Sequence, residues 1–247
     1  MKDKIVALGF SSVEVDELLK VSKDIESDYL KLKNKYPIQY LIGYVNFYGY
    51  KINVNDSVLI PRYETEYLVE KTIKYINKIF KNDKINIVDL GCGSAAISIA
   101  LAKKTNSNIT GIDISDKAIE VAKNNAKENK VNINFILNDM LDNINDKYDV
   151  IISNPPYIDE SEEVMDMVKL YEPKIALYAP NNGLYYYEKI LKSAKTNLNS
   201  KYLIAFEIGM NQAEFVSKMI QTYLPNSKYS VEKDLSGKNR YVFITSE

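Results

Sequence analysis

Two short stretches of this sequence have residue types and spacing that suit a small-molecule site. The first, Asp89-Leu90-Gly91-Cys92-Gly93-Ser94, follows a short apolar run and precedes a helical pattern. Glycine at such a strand-to-helix turn lets the backbone come close to a ligand at the carboxyl edge of a sheet. Asp113 ends the next apolar run at about the ~20-residue spacing that places a carboxylate against ribose hydroxyls. The pattern therefore predicts a site for a ligand that contains a nucleoside.

The glycine turn alone leaves two other interpretations open. A tight strand-to-helix turn without a ligand, in which Asp113 serves only as a helix cap, would contain the same residues. A dinucleotide is also possible, but Ala96 occupies the third glycine position of the Gly-x-Gly-x-x-Gly pattern. The missing glycine weakens the case for a pyrophosphate-binding turn.

The second stretch is Asn154-Pro155-Pro156-Tyr157, which follows another apolar run. Proline fixes φ and has no N–H, so the loop is stiff and its carbonyl groups can accept hydrogen bonds from a ligand. An NH2 group that donates to Asn154 Oδ1 and to the Pro155 carbonyl would be held in place, with Tyr157 stacked on its planar group. We predict an acceptor site formed by these four residues, with Asn154, Pro155 and Tyr157 catalytic. The alternative interpretation is a rigid turn after a buried strand.

The composition limits the chemistry and the compartment. The sequence has no histidine and one cysteine, Cys92, so imidazole catalysis and intramolecular disulfides are excluded, and we expect no metal site. A net charge of -1 provides no global basic field for nucleic acid, so we expect no stable nucleic-acid binding. No apolar run approaches the ~20 residues of a membrane span, and the first residues do not form a signal peptide. We therefore expect a cytoplasmic protein without membrane contact.

The apolar pattern divides the chain into three parts. Helical spacing predicts a small helical domain over residues 1–44. Residues 45–62 alternate aromatic and β-branched residues with turn formers and end near Pro61, which predicts a β-hairpin linker. Residues 63–247 begin with a helical stripe over residues 64–80 and then alternate short apolar runs with amphipathic stretches. This alternation predicts βαβ units and a Rossmann-like α/β domain.

Seven apolar runs predict the strands of the sheet. The last two are joined too tightly for a crossover, so they are predicted to pair antiparallel at the C-terminal end of a mainly parallel sheet. The runs cover residues 85–90, 109–112, 133–137, 148–153, 202–207, 229–233 and 241–245. Tyr185-Tyr186-Tyr187, at the start of a predicted helix, is interpreted as packing and not as a platform for stacking bases.

The stretch Asp89-Leu90-Gly91-Cys92-Gly93 resembles the first motif of the Rossmann-like methyltransferases that use S-adenosylmethionine. The resemblance implies that Gly91, Cys92, Gly93, Ser94 and Ala95 surround the methionine end of this cofactor. It also implies that Asp113 holds the ribose, that Asp139 and Met140 flank the adenine and that Asn154 borders the cofactor. Met140 is equally compatible with ordinary core packing. A sulfonium methyl group is already electrophilic, so alignment, which can supply roughly 7–11 kcal/mol, would suffice without a histidine base.

The acceptor nitrogen is indicated by a resemblance outside these two motifs. Asn-Pro-Pro-Tyr also resembles the motif of methyltransferases that act on adenine or guanine amines. However, residues 37–43, 47–49 and 59–66 resemble the linker of the peptide-chain-release-factor glutamine methyltransferases. The similarity continues at Glu172-Pro173, Gly183-Leu184, Glu207-Ile208-Gly209 with Gln212, and Asp234 with Gly237 and Arg240.

This family resemblance implies a protein substrate. The methyl group would go to the side-chain amide of the glutamine in the Gly-Gly-Gln motif of class I release factors, with the chain acting as a monomer. Three departures from the family pattern stand out: Tyr63 replaces a usual proline, Ala95 replaces a usual glycine, and the helical N-terminal part is short. The first two are expected to alter loops and not chemistry, whereas the third puts the extent of partner contact in doubt.

Three alternatives remain open from the sequence. Arg62, Glu64 and Glu66 are either a solvated helix start or residues that place substrate or cofactor. Methylation of a nucleic-acid amine predicts salt-sensitive binding to RNA or DNA. A binding module without catalysis, which senses S-adenosylmethionine or holds a partner, predicts that Asn154→Ala has no effect.

Overall fold

The N-terminal part consists of four short helices. A computed structural model describes residues 1–246. The second helix begins with a capping box, in which the Ser11 side chain accepts from Glu14 N and the Glu14 side chain accepts from Ser11 N. Apolar residues from all four helices, including Ile5, Leu18 and Ile38, form a small core of their own. The helices are α1 (Lys2–Val6), α2 (Ser12–Val21), α3 (Ile25–Lys33) and α4 (Ile38–Ile42).

A short hairpin follows the helices. Its strands, β1 (Tyr44–Phe47) and β2 (Tyr50–Asn53), pair antiparallel and turn at Tyr48-Gly49, where both residues have positive φ. The hairpin is shorter than the alternating pattern up to Ile60 predicted. The chain leaves the strand after Asn53 because Val54 N donates to the Gly43 carbonyl and Asn55 begins a turn.

A seven-stranded mixed sheet forms the centre of the remaining chain. The strand order is β5-β4-β3-β6-β7-β9-β8, with β9 antiparallel to both of its neighbours. This confirms the predicted Rossmann-like fold with an antiparallel C-terminal pair. The strands are β3 (Ile85–Leu90), β4 (Ser107–Asp113), β5 (Ile133–Leu137), β6 (Tyr148–Ser153), β7 (Leu198–Glu207), β8 (Lys228–Lys233) and β9 (Asn239–Thr245).

Helices cover both faces of the sheet. Because successive strand residues point to opposite faces, Ile87 packs with helix α5 and the hairpin, whereas Val88 packs with helices α10 and α11. The helices are α5 (Tyr63–Phe80), α6 (Ala96–Lys104), α7 (Asp116–Glu128), α8 (Asp166–Tyr171), α9 (Pro180–Gly183), α10 (Tyr185–Asn197) and α11 (Ala213–Tyr223). Within residues 1–246, no helix combines the length and apolar character needed to cross a membrane.

The strand order places a crevice between β3 and β6. From β3 the chain adds β4 and β5 on one side of the sheet, then returns to add β6 and β7 on the other side. At such a reversal the connections leave in opposite directions, which opens a binding crevice at the carboxyl ends of the two strands. The glycine turn follows β3 and the Asn154–Pro155–Pro156–Tyr157 loop follows β6, so the fold brings both predicted motifs to this crevice.

Candidate functional site

The glycine turn after β3 is held against the end of β4. Gly91 N and Cys92 N both donate to the Ile112 carbonyl, at 2.8 and 3.0 Å. Gly91 and Gly93 have φ of 70° and 52°, a region that glycine enters without the steric cost of a side chain. The turn therefore presents backbone without Cβ atoms toward the crevice.

Asp113 joins the glycine turn to the loop before α7. Its Oδ2 accepts from Gly93 N at 2.8 Å, and its Oδ1 accepts from Ser115 N at 2.9 Å. The N-cap of α7 is Ser115, whose side chain accepts from Ala118 N, so the interpretation of Asp113 as a helix cap alone is wrong. Burial raises the pKa of Asp113, and the three backbone N–H groups that its carboxylate accepts from oppose that rise.

Asp89 lies behind the turn and was not predicted as a site residue. Its Oδ2 accepts from Ser98 N and from Ser98 Oγ, which ties β3 to the first turn of α6. Its Oδ1 is buried and has no hydrogen-bond partner among residues 1–246. Burial, with a smaller contribution from the charge of Asp113, raises the pKa of Asp89 to about 7. Asp89 is therefore a buried carboxyl group that titrates near neutral pH.

The Asn-Pro-Pro-Tyr loop is fixed by hydrogen bonds at both ends. Asn154 Nδ2 donates to Thr65 Oγ1 at 3.2 Å, and the Tyr157 carbonyl accepts from Gln212 Nε2 at 2.9 Å. Ser153 Oγ, just before the loop, donates to the Leu90 carbonyl at the end of β3. Burial raises the pKa of Tyr157 to about 12, so this side chain stays un-ionised at neutral pH.

A cavity at the crevice brings the two motifs together. Its lining includes residues from the glycine turn, the ends of β4 and β5 and the loop after β6. The predicted site residues among its lining are Gly91, Gly93, Asp113, Asp139, Met140, Asn154 and Pro156. Within the described chain, the lining does not include Cys92, Ser94, Ala95, Pro155 or Tyr157.

Three residues outside the lining, Cys92, Ser94 and Ala95, fix the conformation of the glycine turn. Cys92 and Ala95 are buried, and Ala95 has a left-handed φ of 63° just before α6. The Ser94 carbonyl accepts from Asn125 Nδ2, and the same amide donates to the Asn53 carbonyl in the hairpin. These contacts fix the course of the glycine turn.

Met140 and Asp139 follow β5 at one end of the cavity. Met140 lines the cavity and also belongs to the core between the sheet and α10, so core packing is confirmed for this residue and its contact with adenine stays a prediction. Asp139 forms an ion pair with Lys189 at 2.7 Å, and Lys189 also pairs with Asp142. Tyr186 and Tyr187 pack in this core, as predicted, and Tyr186 also lines the cavity.

The linker and the segment after α8 supply the remaining walls, which the sequence did not indicate. Ser57, Val58 and Leu59 approach from the linker, and Pro173, Ile175 and Ala176 from the segment. The two walls are tied together because the buried Glu172 carboxylate accepts from Ile60 N and from Arg62 Nη2.

The three charged residues at the start of α5 have separate structural roles. Arg62 forms an ion pair with the buried Glu172. Glu66 Oε1 accepts from Tyr48 N in the hairpin turn, whereas the Glu64 side chain is exposed. Their side chains do not line the cavity in the part of the chain that the structure describes.

The C-terminal positions that carry the family resemblance lie around the Asn-Pro-Pro-Tyr loop, which we call the acceptor loop. Gln212 accepts from Gly209 N and donates to the Tyr157 and Asn182 carbonyls. Arg240 donates to the Ile208 carbonyl and to Asp234. These contacts connect the end of β7 to the Asn-Pro-Pro-Tyr loop, although the residues are far apart in the sequence.

Comparison with known proteins identifies the family. Residues 70–171 match the family model of the methyltransferase small domain. The release factor glutamine methyltransferase of Bacillus cereus is 38% identical over 237 residues, which cover 92% of this chain and 84% of that protein. The protein of the same name from Lactococcus lactis is 38% identical over 232 residues, covering 93% and 83% of the two chains.

A solved structure supports the fold independently. A methyltransferase from Pyrococcus furiosus superimposes with a TM-score of 0.60 at 18% identity, over 80% of this chain and 88% of that one. The similarity to the curated relatives extends over nearly the whole chain and agrees with the family resemblance in the linker and C-terminal motifs. This chain therefore belongs to the release factor glutamine methyltransferase family.

Proposed function

We propose that this chain transfers a methyl group from S-adenosylmethionine to the side-chain amide nitrogen of the glutamine in the Gly-Gly-Gln motif of class I release factors. One observation carries the proposal: the glycine turn with Asp113 and the Asn-Pro-Pro-Tyr loop with Asn154 line one cavity. A cofactor site and an acceptor site for an NH2 group therefore meet where a methyl group could pass between them.

The residues of the cavity fit S-adenosylmethionine. This cofactor supplies a methyl group on a positively charged sulfur, which is electrophilic without further activation. Gly91 and Gly93 allow close approach of the backbone, and the half-buried Asp113 carboxylate can accept from ribose hydroxyls. Asp139 and Met140 are assigned to the adenine end. Cys92, Ser94 and Ala95 act by fixing the turn.

The Asn-Pro-Pro-Tyr loop orients the glutamine amide. Asn154 and Pro156 line the cavity, and Asn154 Oδ1 accepts from the NH2 group. The Pro155 carbonyl and Tyr157 belong to the same loop outside the lining, and they are assigned as the second acceptor and as the ring against the planar face of the amide. These two acceptors also stabilise the positive charge that develops on nitrogen as the new bond forms. Because a well-oriented pair of reactants gains roughly 7–11 kcal/mol from alignment, no ionised base is needed beforehand. The surplus proton leaves to water.

This assignment gives each of the three predicted parts of the chain a role. Residues 1–44 serve as the docking domain for the release factor, residues 45–62 as the linker and residues 63–247 as the methyltransferase domain. Modification of release factors supports translation termination, so the compartment is the cytoplasm, and the chain acts as a monomer without a stable nucleic-acid partner.

The test is transfer of labelled methyl from S-adenosylmethionine to a purified class I release factor. The control is the same factor with the Gly-Gly-Gln glutamine replaced by alanine. Label on the wild-type factor alone supports both the reaction and the acceptor. Label on neither factor, with cofactor binding intact, refutes the proposal, and label on total RNA in the same assay would support a nucleic-acid amine instead.

A further inference from the structure

Asn154 is the first member of a hydrogen-bonded chain that leads away from the cavity. Asn154 Nδ2 lies 3.2 Å from Thr65 Oγ1, and Thr65 Oγ1 lies 2.8 Å from Glu207 Oε2. Thr65 is 5% exposed and Glu207 is 2% exposed, so water does not compete for these groups. These two hydrogen bonds join the loop after β6 to the first turn of α5 and to the end of β7.

The chemistry of the three groups fixes the direction of every bond. An ionised carboxylate can only accept hydrogen bonds, so the single proton of the Thr65 hydroxyl goes to Glu207. The same hydroxyl can then only accept from Asn154. Of the two ends of the Asn154 amide only the NH2 group donates, so it faces Thr65 and Oδ1 faces away.

We propose that Thr65 and Glu207 are positioning residues that hold Asn154 in the one amide orientation in which Oδ1 can accept from the substrate NH2 group. The inference rests on the proposed function. It also explains why an asparagine, whose two amide ends have the same shape, can select an NH2 donor. Without the pair, a flipped Asn154 would present its own NH2 group to the substrate nitrogen, and two donors would face each other.

The ionisation state of Glu207 decides whether this direction holds. A protonated carboxyl group can donate to Thr65 Oγ1, which frees the hydroxyl proton to donate to Oδ1 of a flipped Asn154. Burial raises the pKa of Glu207 to about 7, opposed by the Thr65 hydrogen bond and the positive charges nearby. The charged and titratable groups that face Glu207 are Arg240, Arg62, Glu64, Tyr157, Tyr187 and Tyr241.

The arrangement therefore predicts pH-dependent turnover. The carboxylate form predominates above the pKa of Glu207, so kcat should fall as the pH is lowered through about 7. In Glu207→Gln the side chain no longer titrates, so kcat should lose this acid limb.

The test compares Thr65→Val, which keeps the shape but removes the hydroxyl, with Thr65→Ser, which keeps the hydroxyl. Methyl transfer to a release factor should show about 10-fold lower kcat in Thr65→Val, near wild-type kcat in Thr65→Ser and unchanged affinity for S-adenosylmethionine in both. Thr72→Val is the matched control, because Thr72 is a buried threonine on the same helix whose hydroxyl donates to the Leu68 carbonyl. Its kcat should not change. Wild-type kcat and an unchanged acid limb in Thr65→Val would overturn the inference.

A measurement without turnover separates this inference from the proposed function. In the nuclear magnetic resonance spectrum, the side-chain NH2 protons of Asn154 should exchange slowly with solvent, and their shifts should titrate with Glu207. Both properties should vanish in Thr65→Val and persist in Thr65→Ser. Fast exchange in the wild type would refute the positioning pair even if release factors are methylated. Slow exchange with no methyl transfer by the wild type would refute the proposed function alone.

Discussion

Gly183 lies against the backbone of Tyr157, so close that a Cβ atom on residue 183 would stand 2.0 Å from the Tyr157 carbonyl oxygen. The same Cβ would stand 2.6 Å from Gln212 Nε2, which donates to that oxygen. The φ of Gly183 is +78°, so a side chain there is also strained. The end of the acceptor loop is therefore built on a position that only glycine can occupy.

Replacement of Gly183 by alanine should displace the acceptor loop. A misplacement of about 1 Å can cost on the order of 10²-fold in rate, so kcat should fall by roughly that factor. Gly237→Ala is the matched control, because Gly237 has nearly the same φ, +77°, with nothing within 4 Å of its Cβ position. Both variants should lose about 1 kcal/mol of stability from backbone strain, and Gly183→Ala should lose more because its Cβ also clashes with the Tyr157 carbonyl. Only Gly183→Ala should lose turnover. Equal losses of kcat in the two variants would contradict this explanation.

Substitution of Asn154 should lower turnover, whereas substitution of Asp113 should weaken cofactor affinity. Asn154→Ala removes an acceptor for the substrate amide, so kcat should fall about 10²-fold or more with little change in the Kd of S-adenosylmethionine. Asp113→Ala removes a carboxylate assigned to the ribose, and a charged hydrogen bond of ~1.5–3 kcal/mol corresponds to a Kd at least about 10-fold weaker. Isothermal titration calorimetry and initial rates measure the two effects. The reverse pattern would refute both assignments.

Two buried carboxyl groups should make the protein less stable as the pH rises. Burial raises the pKa of Asp89 and of Glu207 to about 7, from ordinary values of 3.8 and 4.5. At pH values between the ordinary pKa and the raised pKa of these groups, the folded state holds protons that the unfolded state has lost. The free energy of unfolding therefore falls as the pH rises. Urea unfolding at pH 5 and pH 7.5 should show a decrease on the order of a few kcal/mol.

The matched variant for this pH effect is Asp89→Asn combined with Glu207→Gln. Neither replacement titrates, so the double variant should show a flatter dependence over the same interval. Carboxylates with lowered pKa, such as Asp166 and Glu214, are exposed and contribute at more acidic pH. Equal slopes in the wild type and the double variant would show that other groups cause the dependence.

The ion pair between Arg62 and Glu172 should matter for both stability and cofactor binding. Arg62→Ala leaves a fully buried carboxylate without its charged partner. Arg62 is one-third exposed, so the loss should lie below the 3–5 kcal/mol of a fully buried pair, at about 2 kcal/mol. Affinity for S-adenosylmethionine should weaken because both cavity walls are tied through Glu172. Lys74→Ala, which breaks an exposed pair on the same helix, should cost less than about 0.5 kcal/mol and leave affinity unchanged.

The short apolar runs predicted three of the parallel strands well because each of these strands contains several apolar residues in close succession. β3, β5 and β6 begin and end at the predicted residues. β7 begins at Leu198, four residues earlier than predicted, because Leu198 pairs with Tyr148 ahead of an irregular, mostly polar stretch, after which regular pairing resumes at Leu203. Polar residues at a strand end give no apolar signal, so this extension required the pairing partner to be known.

The glycine turn and the acceptor loop were predictable because each is a local motif. The pair of Thr65 and Glu207 was not, since the two residues are 142 positions apart and their place in the family motifs does not indicate that they touch. The cavity walls from the linker were missed for a similar reason, because no property of Ser57, Val58 or Leu59 indicates a ligand. Long-range contacts of this kind depend on how the helices and the linker pack against the sheet.

The wall supplied by the linker gives the cavity a thermodynamic link to the N-terminal helices. Residues 57–59 line the cavity, whereas the lining in the described chain includes nothing from residues 1–44. Linkage is reciprocal, so a ligand that binds more tightly when the linker is docked also strengthens that docking by the same factor. A partner that binds residues 1–44 and shifts the linker would therefore change the affinity of the cavity for its ligand, and the bound ligand would change the affinity for that partner by the same factor.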